Sequence, residues 1–427
     1  MTAKNNRLQS IGAKARAVPL FWWWVAFLLI PITFGLASGL WVFYKGLGVT
    51  NLTDGAPWGL WIVLDLSCIG LAAGAFSLSA MTYLLGRKEY QPLARIAVFI
   101  GLLGYSGALM CLILDIGRPD RFWHGWVYWN IHSMLWEVTM CITLYFSVLA
   151  LEVFPMVVEM PLFNRFKRLQ HFGHTVHHFA PVLAVIGMCL SLLHQSSLGG
   201  TYGVVVGRAS LFRATMPLLF IVSAVAGGMA FSVHMTLIVQ WLKKRTLVPL
   251  SVLFEVGQMA GAILLIYLYM RFWDTTVGNY GYSPGRTEAF TSLMSGSFAI
   301  SFWSWEIILG GLLAAYLLIR ARQAQSVAML LIGSGLTMGG LVANRLHTTL
   351  LAFTEPLTES PAVTSPLVSH YFPAWTEIGT GIGIVAGLTL IFSLGMRYLP
   401  AYRGEPVEIP EEAVAPTASA VPVPASD

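Results

Sequence analysis

The sequence predicts an all-α integral membrane protein with about ten transmembrane helices. Two features of composition carry this prediction, since 56% of the 427 residues are apolar and only 11% are charged. A soluble globular domain has about 25% charged residues. The third observation is a succession of ten apolar runs, each long enough to cross the ~30 Å hydrocarbon core of a bilayer.

The ten apolar runs define the ten predicted spans. The first run is too long for the apolar core of a signal peptide, so it is interpreted as a transmembrane helix. The flanking segments are predicted to lie outside the membrane, 1–18 as a basic cytoplasmic N-terminus and 399–427 as a disordered, Pro/Ala-rich cytoplasmic tail. The membrane domain is therefore 19–398, with spans at 19–42, 57–85, 93–115, 133–155, 173–195, 214–242, 248–271, 297–320, 327–347 and 373–398.

Basic residues are distributed unequally between the two sets of loops. About twice as many lie on the face that carries the termini, for example Arg87 and Lys88 after the second span. The positive-inside rule therefore predicts a multi-pass protein of a bacterial inner membrane with both termini in the cytoplasm. The longer connections, where partners and ligands usually dock, are predicted on the outer face at 116–132, 196–213, 272–296 and 348–372.

Two short motifs recur along the chain. AAGAFSL at 72–78 resembles GGMAFSV at 227–233, and Trp-Glu occurs at both 136–137 and 305–306. In each pair the two helices have the same predicted direction. Spans 2–5 and 6–9 are therefore predicted to form two repeated four-helix bundles, flanked by spans 1 and 10. The alternative is chance similarity among the small residues that pack transmembrane helices.

Acidic residues inside the apolar runs are the strongest indication of function. Asp65, Glu137, Glu255 and Glu306 lie well within predicted spans, and Glu377 lies near the outer end of the last one. A charge in hydrocarbon costs about 2.5–3.5 kcal/mol on insertion scales, so such acids usually line a pathway or a binding site. Glu306, Glu255 and Glu377 are therefore assigned to a candidate proton path.

Further polar residues are predicted in the outer half of the membrane, near most of these acids. A quinone needs donors for its two carbonyl groups, and a quinol needs acceptors for two protons, which imidazole and carboxylate groups supply. Hydrogen bonds between helices and side chains that reach the membrane surface are the alternative explanation. The set comprises Tyr105, Asp115, Arg118, His132, His194, Gln195, Asn344, Arg345 and His347.

The connection after the third span begins with oppositely charged residues. Asp115 ends the span, and Arg118 and Arg121 follow within about one turn. A salt bridge from Asp115 that fixes the loop is the leading interpretation. The aromatic residues within 122–129 are predicted to form an interfacial belt or to face a partner subunit.

The sequence offers no ligand set for a metal or a cluster. The four cysteines lie in apolar runs, and no CxxC or CxxCH motif occurs. A b-type haem needs two histidines at matched depth, which His194 and His234 do not provide because they are predicted near opposite surfaces. His177 or His178 with His234 is the alternative pair. Basic residues are spread over short loops, so nucleic-acid binding is not predicted.

Several segments resemble one known family. The three longest are DGAPWGLWIVLDLSCIGLAAGAF at 54–76, LLGYSGALMCLILDIGRPDRFWH at 102–124 and NIHSMLWEVTMCITLY at 130–145. The likeness extends to LLHQSSLGG at 192–200 and FPAWTE at 372–377. Together they resemble the NrfD/polysulfide-reductase membrane-subunit family, and within it most closely the hydrogenase-2-type, HybB-like subunits.

This resemblance implies a ten-helix subunit that binds no haem or Fe–S cluster itself. Such a subunit exchanges electrons between a quinone, either menaquinone or ubiquinone, and a ferredoxin-like Fe–S subunit on the outer face. Family members serve [NiFe] hydrogenases, molybdenum enzymes and multihaem cytochrome complexes, so the partner enzyme stays open. By motif, the resemblance favours as site residues Asp65, Asp115, Arg118, Glu137 and His194, followed by Tyr105, His132 and Glu377.

We therefore predict a quinone-reactive membrane subunit of an electron-transfer complex. The candidates for proton transfer at the quinone are Asp65, Glu137, His132 and His194. The candidates for quinone binding are Tyr105, Asp115, Arg118, Asn344 and Arg345. Three alternatives stay open: proton translocation by the same complex, a secondary transporter whose acids bind a solute, and a b-type cytochrome.

Overall fold

The computed structural model describes residues 19–163, 165–281, 285–353 and 371–399. The predicted segment 1–18, most of the predicted tail and most of the connection 348–372 lie outside these residues. The described residues form helices and no strand, apart from one isolated bridge between Thr53 and Ala56. This confirms the all-α prediction.

Within the described ranges, ten long helices have the length and composition needed to cross a membrane, so the chain is an integral membrane protein. Their N-terminal ends lie alternately at the two surfaces. We call the surface where α1 ends and α2 begins the loop face, and the opposite surface the basic face. The helices are α1 Leu20–Lys45, α2 Leu60–Tyr83, α3 Gln91–Asp115, α4 Met134–Val158, α5 Ala180–Gly203, α6 Met216–Lys243, α7 Leu250–Tyr280, α8 Ala299–Ala324, α9 Val327–Leu351 and α10 Trp375–Tyr398.

Two predicted spans differ from the observed helices by more residues than the others do. The fifth was predicted at 173–195, but Lys167–His178 forms a separate helix on the basic face and α5 begins only at Ala180. Pro181 occupies the first turn of α5, a position that proline favours. The seventh helix continues to Tyr280, well past the predicted end at residue 271. α5 also continues past its predicted end, to Gly203. The extensions of α5 and α7 bring polar residues of predicted loops, such as Asp274, into the transmembrane helices.

Packing within the membrane domain follows the order of the chain. Consecutive helices pack against each other within a first series, α2 to α5, and within a second series, α6 to α9. α6 also packs against α2, α5 and α9, and it thereby joins the two series. α1 packs mainly against α10, at one side of the first series. The internal repeat stays a prediction.

The two similar motifs meet where α2 crosses α6. A Cβ atom at Gly228 would lie 2.1 Å from the backbone nitrogen of Gly74, and one at Gly74 would lie 2.4 Å from Oγ of Ser232. Only glycine allows the two backbones to approach so closely. The helical hydrogen bonding of α2 is interrupted at Ala73, immediately before this contact.

The first half of α8 is a π-helix, Phe302–Leu313, which includes Glu306. Long π-helical stretches are rare, and π-type turns are frequent at functional sites. A Cβ at Gly310 would lie 2.3 Å from Cα of Gly340 in α9, so the two helices touch through their backbones. This contact places polar residues of α9 beside Glu306.

Candidate functional site

Helices α2 to α5 bring five buried polar side chains together. They are Asp65 from α2, Tyr105 from α3, Tyr145 from α4, and Ser191 and His194 from α5. We call this group the unpaired cluster. The ring centroid of Tyr105 lies 4.8 Å from that of Tyr145 and 5.5 Å from that of His194. Asp65 lies within electrostatic range of Tyr105, ~8 Å along α2 from its first residue.

The polar atoms of the unpaired cluster lack hydrogen-bond partners of regular geometry among the described residues. These atoms are Oδ1 of Asp65, the hydroxyl oxygens of Tyr105, Tyr145 and Ser191, and both ring nitrogens of His194. The Ser191 hydroxyl does lie near both tyrosine hydroxyls, so these three groups face a common point. An unsatisfied buried polar group costs about 1–3 kcal/mol, and native proteins contain only a few of them. Their concentration between four helices indicates a binding site for a polar group.

Glu137 lies on the loop-face side of the unpaired cluster. It occupies the first turn of α4, is half-buried, and accepts a hydrogen bond of 2.8 Å from Ser197. Ser197 follows His194 by about one turn of α5, so the two face the same side. His132, in contrast, is exposed in the loop before α4. The structure therefore brings together Asp65 and His194, with Glu137 adjacent, and leaves His132 outside.

Helices α7 to α9 contain a second set of polar side chains, and the acid in this set, Glu306, is fully paired. Glu306 accepts hydrogen bonds from Tyr267 at 3.0 Å, Arg271 at 2.8 Å and Asn344 at 3.0 Å. His347 Nδ1 lies 2.5 Å from its other oxygen, and the second ring nitrogen lies 2.8 Å from the Ser301 hydroxyl. We call Glu306 and its partners the paired network.

The paired network extends to the loop face through Asp274. Arg271 lies 3.2 Å from Asp274, which also pairs with Arg213 at 2.6 Å and accepts a hydrogen bond from Thr215 at 2.5 Å. Each carboxylate is thus compensated by a guanidinium group. Loss of one partner from such a buried ion pair is strongly destabilising, because it leaves an uncompensated charge.

Arg345 lies between the two groups. It is fully buried, donates hydrogen bonds to Asn344 at 3.0 Å and Ser223 at 2.9 Å, and places its guanidinium carbon 3.9 Å from the ring centroid of Phe220. A Cβ at Gly70 in α2 would lie 3.7 Å from the same guanidinium group. The predicted quinone-binding residues are therefore divided, since Asn344 and Arg345 belong with Glu306 and Tyr105 belongs with Asp65.

The predicted salt bridge between Asp115 and Arg118 is wrong. Arg118 pairs with Asp120 at 3.0 Å, and both side chains are exposed. The reason is the turn at Gly117, whose φ of 69° directs the chain away from the end of α3. Hydrogen bonding to Arg118 lowers the pKa of Asp120. Oδ1 of Asp115 is buried and has no partner among the described residues. In this respect Asp115 resembles the side chains of the unpaired cluster, whereas the exposed, paired Arg118 does not.

Glu255 is not an isolated acid in hydrocarbon. It lies near the start of α7 at the basic face, 3.0 Å from Arg87, with 27% of its side chain exposed. This ion pair accounts for its position without a ligand. The hydropathy pattern did not predict this ion pair, because Arg87 lies on another segment of the chain.

Glu377 is held by hydrogen bonds at the start of α10. Its carboxylate accepts hydrogen bonds from the backbone N–H of Ala374 at 2.9 Å and of Asn51 at 3.1 Å, and from the Tyr371 hydroxyl. A carboxylate in the first turn satisfies free N–H groups and interacts favourably with the helix dipole. Glu377 thus fastens α10 to the connection between α1 and α2. Its place in a proton path stays a prediction.

Sequence reasoning missed several residues of both groups. Tyr145 and Ser191 look like ordinary members of apolar runs, although Ser191 precedes His194 by three residues and so shares its helix face. Tyr267 and Asp274 were missed because only helical spacing relates them to Arg271, near the predicted end of the span. Glu152 was also missed. It lines a small cavity toward the basic face with Tyr83, Arg95 and His177.

No group of three or more His, Cys, Asp or Glu side chains is arranged to hold a metal ion in the part of the chain that the structure describes. His194 lies against Tyr105, whereas His234 lies 3.0 Å from Ser334 in the second series. The two histidines therefore have separate surroundings.

Sequence comparison establishes the family. The model of the polysulphide reductase family NrfD matches residues 48–352, which cover α2 to α9. The chain belongs to the NrfD family. It is 35% identical to the integral membrane subunit of menaquinone reductase from Nitratidesulfovibrio vulgaris, over 92% of this chain and 95% of that protein.

Other NrfD relatives serve different complexes. The chain is 27% identical to the probable Ni/Fe-hydrogenase 2 b-type cytochrome subunit of Escherichia coli, over 83% of this chain and 86% of that protein. It is 25% identical to a selenate reductase subunit of Mesobacillus selenatarsenatis, over 84% and 89% respectively. The resemblance found in the sequence is thus confirmed at the level of the family, with the hydrogenase-type subunit among its relatives.

Proposed function

We propose that this chain is the quinone-reactive membrane subunit of a multi-subunit oxidoreductase, and that the quinone head binds at the unpaired cluster. The observation that carries the proposal is the concentration, around Asp65, Tyr105 and His194, of buried donors and acceptors that have no regular hydrogen-bond partner in the described part of the chain. The paired network is assigned a structural role, because each of its carboxylates already has charged partners.

The chemistry of the cluster suits a two-electron, two-proton reaction. Reduction of a quinone takes up two electrons and two protons and yields the quinol, and oxidation reverses each step. Tyr105, Tyr145 and His194 carry groups that can donate hydrogen bonds to the carbonyl oxygens, and Asp65 can exchange a proton with the nascent hydroxyl. Glu137 accepts a hydrogen bond from Ser197, one turn of α5 beyond His194, and is placed to pass protons toward the loop face.

Relatives and surface features support the choice of substrate and partner. The relative with 35% identity is named a menaquinone reductase subunit, which favours menaquinone. Electrons are proposed to reach the quinone from a ferredoxin-like Fe–S subunit docked on the loop face, itself attached to a hydrogenase, a molybdenum enzyme or a multihaem cytochrome. Exposed aromatic side chains between α3 and α4, such as Trp123 and Trp129, offer a docking surface there. We propose that this face is the outer one.

Quinone turnover by the purified complex tests the proposal. We expect Asp65→Asn and His194→Gln each to lower the rate with a soluble menaquinone analogue at least about 100-fold, the lower end of the range for loss of a general acid or base. Glu255→Gln is the matched control, because its carboxylate lies at the basic face. Unchanged turnover in both cluster variants would remove the unpaired cluster from the mechanism.

A second function, proton translocation, is favoured by one observation. Glu152 lies about two turns from Tyr145 on the same face of α4, and its cavity leads toward the basic face. Glu152, Tyr145 and the rest of the unpaired cluster thus form a column of titratable groups along the first series. In liposomes, Glu152→Gln should abolish charge movement and spare quinone reduction. Equal charge movement in the variant and the wild type would reject this path.

A further inference from the structure

An apolar groove runs along the outside of the first helix series. It lies between α1, α3 and α10, and its volume is about 400 Å³. Of the described residues, no charged one lines the groove, and the one hydroxyl among them, on Thr380, accepts a hydrogen bond of 2.7 Å from Trp61. The lining extends over residues 32–43 of α1 and 380–391 of α10. Eleven helical steps correspond to ~16 Å, about half of the hydrocarbon core.

Glycine residues keep the groove open. α1 and α10 touch at Gly35 and Gly383, where a Cβ at Gly383 would lie 2.6 Å from Cα of Gly35. One turn further along α10, Gly387 also lines the groove, but a Cβ there would meet no atom within 4 Å. Helix packing therefore does not require glycine at position 387, and the missing side chain leaves room for a chain-like apolar molecule.

Only a thin wall separates the groove from the unpaired cluster. A Cβ at Gly107 of α3 would lie 2.6 Å from Leu388 in the groove and 3.4 Å from Sγ of Cys68. Cys68 follows Asp65 by three residues on α2, so both face the same side. At the loop-face end, the groove residue Leu114 directly precedes Asp115, whose Oδ1 is buried and unpartnered among the described residues.

We propose that this groove holds the isoprenoid tail of the quinone whose head reacts at the unpaired cluster. The inference rests on the proposed function and adds the path of the substrate's tail. Three features specify the occupant: a lining that is apolar apart from the Thr380 hydroxyl, a length sufficient for several prenyl units, and an end beside the Asp115 carboxylate, whose Oδ1 has no partner among the described residues. An acyl chain of a phospholipid shares only the first two.

The dependence of the KM on the length of the substrate's tail tests the groove separately from the quinone reaction. Gly387→Phe fills the groove, and Gly387→Ala gives a graded, smaller change. Val385→Phe adds the same bulk to the exposed side of α10, where Val385 is 48% exposed, and is the matched control. The purified complex is assayed with a long-tailed menaquinone and with a naphthoquinone that has no tail.

We expect Gly387→Phe to raise the KM for the long-tailed substrate about tenfold or more, as small volume changes in apolar pockets do. The tail-less substrate should react as in the wild type, Gly387→Ala should lie between, and Val385→Phe should leave both substrates unchanged. Equal behaviour of the two substrates in Gly387→Phe overturns the inference, and release of a bound phospholipid with an unchanged KM assigns the groove to lipid. A wild-type complex that reacts with neither substrate instead refutes the proposed function.

Discussion

Substitution of two buried acids by their amides should lower the stability of the protein in one case and not in the other. Asp65 and Glu306 are both buried in the membrane, and Asp65→Asn and Glu306→Gln each replace a carboxylate by an amide of similar size. Oδ1 of Asp65 has no described partner, whereas Glu306 accepts hydrogen bonds from Tyr267, Arg271 and Asn344 and pairs with His347. The first substitution removes an uncompensated group, and the second leaves partners uncompensated.

The expected magnitudes follow from these partners. Removing one member of a buried ion pair costs about 3–5 kcal/mol, and Glu306→Gln should fall near the lower end because Arg271 retains Asp274 at 3.2 Å. Asp65→Asn breaks no ion pair among the described residues and removes a carboxyl group whose ionised form costs about 2.5–3.5 kcal/mol in hydrocarbon on insertion scales. Its stability should therefore be unchanged or higher.

The chain carries its own reporters for this measurement. Cys111 and Cys141 are buried, so a thiol-reactive fluorophore labels them only on unfolding, and the apparent Tm follows from the fluorescence rise. Cys189 is exposed and is replaced by alanine in every variant to lower the background. We expect a lower apparent Tm for Glu306→Gln and no decrease for Asp65→Asn. Equal decreases in both variants, or a decrease in Asp65→Asn alone, would refute the distinction between the two groups.

Three further outcomes follow from individual contacts. Arg118→Ala should leave the apparent Tm unchanged, because the Arg118–Asp120 pair is exposed; a clear decrease would show a structural role. Gly228→Ala should greatly lower the yield of folded protein in detergent, since its Cβ would lie 2.1 Å from a backbone nitrogen of α2, whereas Gly207→Ala has open space and serves as control. Burial and the hydrogen bond to Glu377 raise the pKa of Tyr371 above its ordinary 10.0. Because the folded state then holds this proton more tightly than the unfolded state, stability should fall as pH rises above about 10. Tyr371→Phe should show less of this loss in thermal scans from about pH 8 to 11, and an identical loss would exclude Tyr371 as its source.

The number and type of helices were predictable because hydrocarbon selects for long apolar runs. The ends of these helices were harder to predict. Lys167–His178 joins α5 almost without interruption, and apolar content alone does not separate a helix on the surface from one within the membrane. Pro181 was the available signal. The turn at Gly117 likewise decides the partner of Arg118, and its φ of 69° is a property of the folded backbone.

The site was predicted only in part, for a physical reason. Sequence identifies an acid within an apolar run but not the partner that another helix supplies. Asp65, Glu255 and Glu306 looked equivalent along the chain. In the structure, Oδ1 of Asp65 has no partner among the described residues, and Glu255 forms an ion pair near the basic face. Glu306 lies at the centre of the paired network. These differences come from packing and cannot be read from hydropathy.

Photoaffinity labelling with an azido-menaquinone tests the central claim most directly. After illumination of the purified complex, mass spectrometry of the digested chain identifies the labelled helices, with excess unmodified menaquinone as the competitor. We predict competable label on segments of α2 to α5 close to Asp65, Tyr105 and His194. Competable label confined to α7 to α9, around Glu306, would contradict the assignment of the quinone head to the unpaired cluster.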